Sequence, residues 1–121
     1  MPLFGQELFE QAQAKGELTD AAYFDSLSKV KSAAREIGID AVLAKDNLDA
    51  IVARTGGSTW SIAATAGYPY ITVPAGFSGG LPIGIGFFGT AFSEAQLIKF
   101  GYAFEQLTNA RRKPELLPKA S

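Results

Sequence analysis

The chain has no cysteine and no histidine. The first absence excludes a disulfide framework, thiolate metal sites and a cysteine nucleophile. The second removes the Ser-His-Asp and Cys-His arrangements, the common zinc centres and the most usual general base. For chemistry of its own the chain is left with Ser, Thr, Lys, Tyr, Asp and Glu. Charge of one sign is lacking too: Lys and Arg number 11 against 12 Asp and Glu, so a net charge of -1 gives no footing for nucleic acid or an anionic membrane as partner. No uninterrupted apolar run approaches the roughly 20 residues that span a bilayer. The start, Met1-Pro2-Leu3-Phe4-Gly5, has no basic segment ahead of an apolar core, so it does not read as a secretory signal. The expectation is a soluble cytoplasmic protein with neither metal nor cofactor.

What the chain does have is glycine and proline inside apolar segments. From Gly67 to Gly89, GYPYITVPAGFSGGLPIGIGFFG, two strand-like stretches, Tyr70–Val73 and Ile83–Phe88, flank the turn residues Phe77-Ser78-Gly79-Gly80. This predicts a β-hairpin. Gly84 and Gly86 pack no side chain, so their place in a strand points to a backbone or ligand approaching closely, or to a plain glycine-rich hairpin. Pro74 and Pro82 cannot donate to a ladder and belong at strand ends, edges or bulges.

Around the hairpin the pattern is helical. Leu8, Phe9 and Ala12 mark a first short helix, with Lys15-Gly16 as its end and glycine cap. Thr19-Asp20 caps a second, whose apolar face Tyr23, Leu27, Val30, Ala34 and Ile37 runs to Gly38. Ile39 to Lys45 forms a further short helix, Leu48 to Ala53 reads as a buried strand, Gly56 to Thr59 as a loop, and Ser61 to Ala66 as a helix closed by Gly67. Ser93-Glu94-Ala95-Gln96 has the form of a capping box opening a last helix. Arg111-Arg112-Lys113 sits near its C-terminal end, as macrodipole complement, before Pro114 stops it. The expected class is α/β, a mixed sheet with flanking helices, in a single unit: 1–47 helical, 48–92 strands and loops, 93–110 the C-terminal helix and 111–121 a tail.

The strand Leu48–Ala53, the Gly56-Gly57 loop, the blocks GYPYITVPAGF and GLPIGIGFFG, and the helix SEAQLIKFGYAFEQLT occur in one order. In that order the chain resembles the C-terminal part of amidase signature family enzymes over nearly all its length. The resemblance implies a partial amidase fold comprising late strands and the last long helix, and hydrolysis of an amide carbon–nitrogen bond by the complete enzyme. Members use a serine nucleophile, a second serine held by a cis peptide and a lysine base, with glycine-rich amides for the oxyanion. A lysine base suits a protein without histidine, since desolvation lowers its pKa. The resemblance places that machinery upstream of this segment, so no catalytic residue is assigned here.

Gly56-Gly57-Ser58-Thr59-Trp60-Ser61 is superficially like the family's glycine-serine signature. It departs from it at Trp60, where small residues follow in the family, and no lysine precedes it at the long interval a base requires. Ser58 and Ser61 therefore read as loop and N-cap residues. In a complete enzyme Gly56, Gly57, Ser58 and Trp60 would help line the pocket for a small amide substrate, or serve simply as turn chemistry. Arg54 stands where the family usually has proline. The expectation is a C-terminal amidase portion, inactive alone, that pairs with the missing N-terminal portion or self-associates. The alternative is a non-catalytic binding or scaffold module built on the same fold, which would be monomeric with its apolar faces covered.

Overall fold

A computed structural model describes residues 5–113. Helix α1 (Glu7–Gln13) is followed by α2 (Ala21–Ala34), a π-helical turn (Arg35–Ile39) and α3 (Asp40–Asp46). Strand β1 (Ile51–Arg54), helix α4 (Thr59–Ala66), the strands β2 (Tyr70–Ser78) and β3 (Leu81–Phe88), and helix α5 (Glu94–Thr108) complete the chain. Among the described residues no helix is long and apolar enough to cross a membrane.

The second helical region does not stop at Gly38. Its hydrogen bonding slips by one residue, the Asp40 N–H reaching the Arg35 carbonyl, and the chain continues through the π turn into α3. Such turns are frequent at functional sites and reorient a helix without ending it. Helix α1 ends at Ala14 in the right-handed region, so Gly16 is not its cap. Helices α3 and α4 close with left-handed residues, Asn47 and Gly67. In each, the next residue's N–H, from Leu48 or Tyr68, reaches back to Leu43 or Ala63.

The hairpin is present and longer than its apolar stretches suggested. Gly79 and Gly80, both at positive φ, form a two-residue turn between paired Ser78 and Leu81. The register slips between Pro74 and Gly76, so Pro74 sits beside a bulge on an outer strand. Pro82 lies beyond the reach of β1, whose ladder on β3 stops at Ile85. The order is β1-β3-β2, and every pairing is antiparallel.

The two sheet faces are covered differently. On one, Phe88 at 3% exposure packs with Ala34, Ile39, Leu43, Ala63 and Ala66, flanked by Ile51, Ala53, Tyr68 and Tyr70. On the other, α5 crosses so closely that a Cβ on Gly101 would lie 3.2 Å from Val73 Cγ1. There Leu97 is fully buried, and Phe87 meets Phe100 and Phe104 at ring-centre distances of 6.5 and 6.1 Å.

Three local expectations are corrected. Strand β1 starts at Ile51 rather than Leu48 and is not buried: Val52 and Arg54 are exposed because α5 covers β2 and β3 instead. The capping box is not formed, since Ser93 Oγ donates to the Thr90 carbonyl at 2.7 Å and turns away from the helix. Helix α5 ends at left-handed Asn109, so the basic triplet lies past its last turn. Arg112 instead stacks over the Phe77 ring at 4.2 Å, cation on aromatic face, at the hairpin tip. Pro114 and the tail to Ser121 lie outside the described residues.

Candidate functional site

Gly56, Gly57 and Ser58 form an exposed turn joining β1 to α4, stabilised by a 3.4 Å bond from the Gly57 N–H to the Arg54 carbonyl. Positive φ at Gly56 is what lets the chain reverse there. Helix α4 begins at Thr59, so Trp60 belongs to its first turn and not to the loop. Trp60 is 56% exposed, and its ring stands on the surface beside the turn. Ser58 occupies the N-cap position without a side-chain bond to the helix, so its hydroxyl is uncommitted among the described residues. Arg54, the departure from the family pattern, pairs opposite Ile85 and is exposed; nothing in the structure explains an arginine there.

Ladder geometry brings in residues that motif reading passed over. The Thr55 N–H donates to the Gly84 carbonyl at 2.9 Å, extending β1 by one residue. The Thr55 and Thr72 hydroxyls hydrogen-bond to one another over Gly84, and Thr72 Oγ1 donates to the Ile85 carbonyl at 3.2 Å. A side chain on Gly84 would strike both threonines. The close approach read from Gly84 and Gly86 is thus made by the chain's own side chains, since Tyr70 lies across Gly86. The threonine pair adjoins the Gly56 to Ser58 turn in sequence and ladder, while the Thr59 hydroxyl is buried and unpartnered among the described residues. Such groups can bind an amide or a carboxylate but supply no base. Among the described residues no side-chain hydrogen bond joins Ser58 or Ser61 to a lysine, and Ser61 lines a groove against α2. Nor does any group of three or more carboxylates among them converge as a metal site would require.

A second polar cluster ties the π turn to the segment after α4. Arg35 Nε donates to the Ala66 carbonyl at 2.6 Å, and its guanidinium lies 5.5 Å from the Tyr68 ring centre. The Tyr68 hydroxyl donates to Asp40 Oδ2 at 2.7 Å. That bond holds the phenol above its ordinary pKa, helped by burial and by the carboxylate's charge, while Thr90 and Arg35 oppose it. A phenol whose native pKa is raised adds stability below the unfolded value of about 10 and loses it as pH climbs past that value. Urea denaturation from pH 8 to 11 should therefore show a loss of stability above pH 10 that shrinks in Tyr68→Phe. An identical alkaline slope in the variant would contradict this assignment.

No protein-family profile matches the chain. It is 42% identical over 115 residues to a probable amidase of Arabidopsis thaliana, covering 94% of this chain and 22% of that protein. It is 52% identical over 48 residues to one subunit of the glutamyl-tRNA(Gln) amidotransferase of Desulforudis audaxviator, 40% of this chain and 10% of that one. Among solved structures, native peptide amidase from Stenotrophomonas maltophilia superposes with a TM-score of 0.90 at 47% identity, over 95% of this chain and 26% of its own. The chain spans about a fifth of the length of the curated amidase and about a quarter of the solved one. By sequence and by fold, α/β with a small antiparallel sheet and flanking helices, it belongs to the amidase signature family, whose fold it represents in part.

Proposed function

We propose that this chain is the C-terminal portion of an amidase, a hydrolase of carbon–nitrogen amide bonds, and that it does not turn over substrate alone. One observation carries the reading: nearly the whole chain matches about a fifth of an amidase. Without a serine bonded to a lysine among the described residues, the chain's own contribution is to binding and to the sheet. In the complete enzyme Gly56, Gly57, Ser58 and Trp60 line the pocket for a small amide, the turn amides and the Ser58 hydroxyl facing the substrate's polar group and Trp60 its body. The outer strands β1 and β2 offer edges to the missing N-terminal portion, and the chain acts as one segment of a cytoplasmic enzyme.

Co-expression tests this. The part of the Stenotrophomonas peptide amidase that precedes the matched quarter is produced with and without this chain and assayed on short peptide amides and simple aliphatic amides. Neither piece should hydrolyse them alone and the pair should. In the pair, Trp60→Ala should raise KM several-fold while kcat changes less, the pattern of lost uniform binding. Turnover by the isolated chain that Ser58→Ala abolishes would overturn the reading. A pair that binds tightly yet stays silent would favour the scaffold module instead.

A further inference from the structure

The basic triplet is carried off the end of α5 and back against the hairpin. Helix α5 stops at Thr108, and Asn109 at positive φ turns the chain, so that Arg111, Arg112 and Lys113 come to face the strands β2 and β3. Between triplet and hairpin lies a cavity of about 480 Å³. Its hairpin side is apolar, made by Pro74, Phe77, Pro82 and Ile83, and among the described residues no Asp or Glu lines it. The hollow has a local cause: the register slip between Pro74 and Gly76, with Gly76 at a φ of 118°, bends the outer strand at this place.

Cations on one wall and apolar side chains on the other define what fits, an anionic head on an apolar body. Arg112 is prepared for the head. Its guanidinium carbon lies 4.2 Å from the Phe77 ring centre, so the ring engages the face of the guanidinium and leaves its planar N–H edge for the two oxygens of a carboxylate. The α5 dipole opposes an anion here, but it amounts to about half a unit charge and fades within the last turn, whereas the triplet brings three unit cations and begins two residues past Asn109. The geometry points to a binding site for a small amphipathic carboxylate, its oxygens on Arg112, Arg111 and Lys113 adding charge, and its apolar end against Pro74, Phe77 and Pro82. The site shares no residue with the Gly56 to Trp60 turn and does not rest on the amidase reading.

Titration of the chain with octanoate, followed by amide NMR shifts, reads the prediction. Octanoate should bind with a dissociation constant of about a millimolar, as a ligand of about ten heavy atoms permits, and should shift the amides of Gly76, Phe77, Ala110 and Arg112 together. Octylammonium, the same body with the opposite charge, and acetate, the charge without the body, should each bind about tenfold more weakly or worse. Arg112→Ala should weaken octanoate about tenfold or more, the worth of a hydrogen bond to a charged group, and Arg112→Lys, which keeps the charge and loses the fork, should fall between. Arg112 is exposed and outside every helix and strand, so these variants keep the fold, which an unchanged urea midpoint verifies. Octylammonium binding as well as octanoate, an Arg112→Ala chain of undiminished affinity, or shifts confined to other residues would each overturn the site. Octyl phosphate binding tenfold more tightly than octanoate would overturn the carboxylate assignment. None of these outcomes touches the co-expression assay.

Discussion

Gly86→Ala should lower the stability of the chain by about 3 kcal/mol, the upper end of what overpacking a well-filled site costs. A Cβ at Gly86 would enter the Tyr70 ring and its hydroxyl. Tyr70 has nowhere to retreat, because it lies nearly parallel to Phe88, ring centres 5.6 Å apart, above the main core. Alanine must push the ring off that stack or widen the ladder where Gly86 pairs with both Ala53 and Thr72. Two further variants separate the causes in urea denaturation. Tyr70→Phe keeps the ring and removes a hydroxyl that is buried without a partner among the described residues, so on its own it should be neutral or stabilising by about 1 kcal/mol. Tyr70→Ala loses packing but should make Gly86→Ala nearly harmless, a coupling visible in the double-mutant cycle. Additive losses would show that the glycine is required for backbone reasons and not for room.

Phe88→Ala should cost more, about 4 kcal/mol, as large-to-small replacements of buried aromatic rings do. The ring is 3% exposed and closes the contact between the central strand and the helical layer of Ala34, Ile39, Leu43, Ala63 and Ala66. Three of those five neighbours are alanines with no side-chain reach to collapse into the gap. Total stabilities of about 5 to 15 kcal/mol are the rule, so this one change removes a large part of the margin and should lower the urea midpoint markedly. The equivalent change at Phe87, which packs on Phe100 and Phe104 under α5, should loosen α5 while leaving the helical layer folded. Hydrogen exchange resolves the two: Phe88→Ala exposes amides across the whole sheet, Phe87→Ala chiefly those of α5.

Glycine and proline punctuation made the hairpin legible because Gly79-Gly80 takes without steric cost the positive φ that a two-residue hairpin turn requires, and the α5 face was legible because its apolar residues recur at helical spacing. Capping was read less well. Ser93 and Gln96 have the right types and spacing, but a nearby acceptor, the Thr90 carbonyl, takes the serine hydroxyl first. The π turn rotates the apolar face: Ile37, expected on it, is 73% exposed, and Ile39 takes the buried place, because the one-residue slip in hydrogen bonding turns the helix by about a residue's step. At the candidate site, the turn of Gly56 to Ser58 was legible because its residues are adjacent in sequence, whereas Trp60 stands in the first turn of α4 and not in the loop. Thr55 and Thr72 were missed because the ladder across Gly84, and no motif, brings them together. A threonine closing a strand opposite an interior glycine is a signal that could have found them.

Strand order also fixes a timetable. The central strand of the sheet, β3, is the last of the three to be synthesised, while β1 is the first. The β2–β3 turn is local and closes in microseconds, whereas Ile51 must wait for Phe88 across α4 and the whole hairpin. On the ribosome β1 therefore emerges without a partner and stays so until the hairpin is complete. Its brevity, four residues, limits the edge that the waiting strand offers to a neighbouring chain.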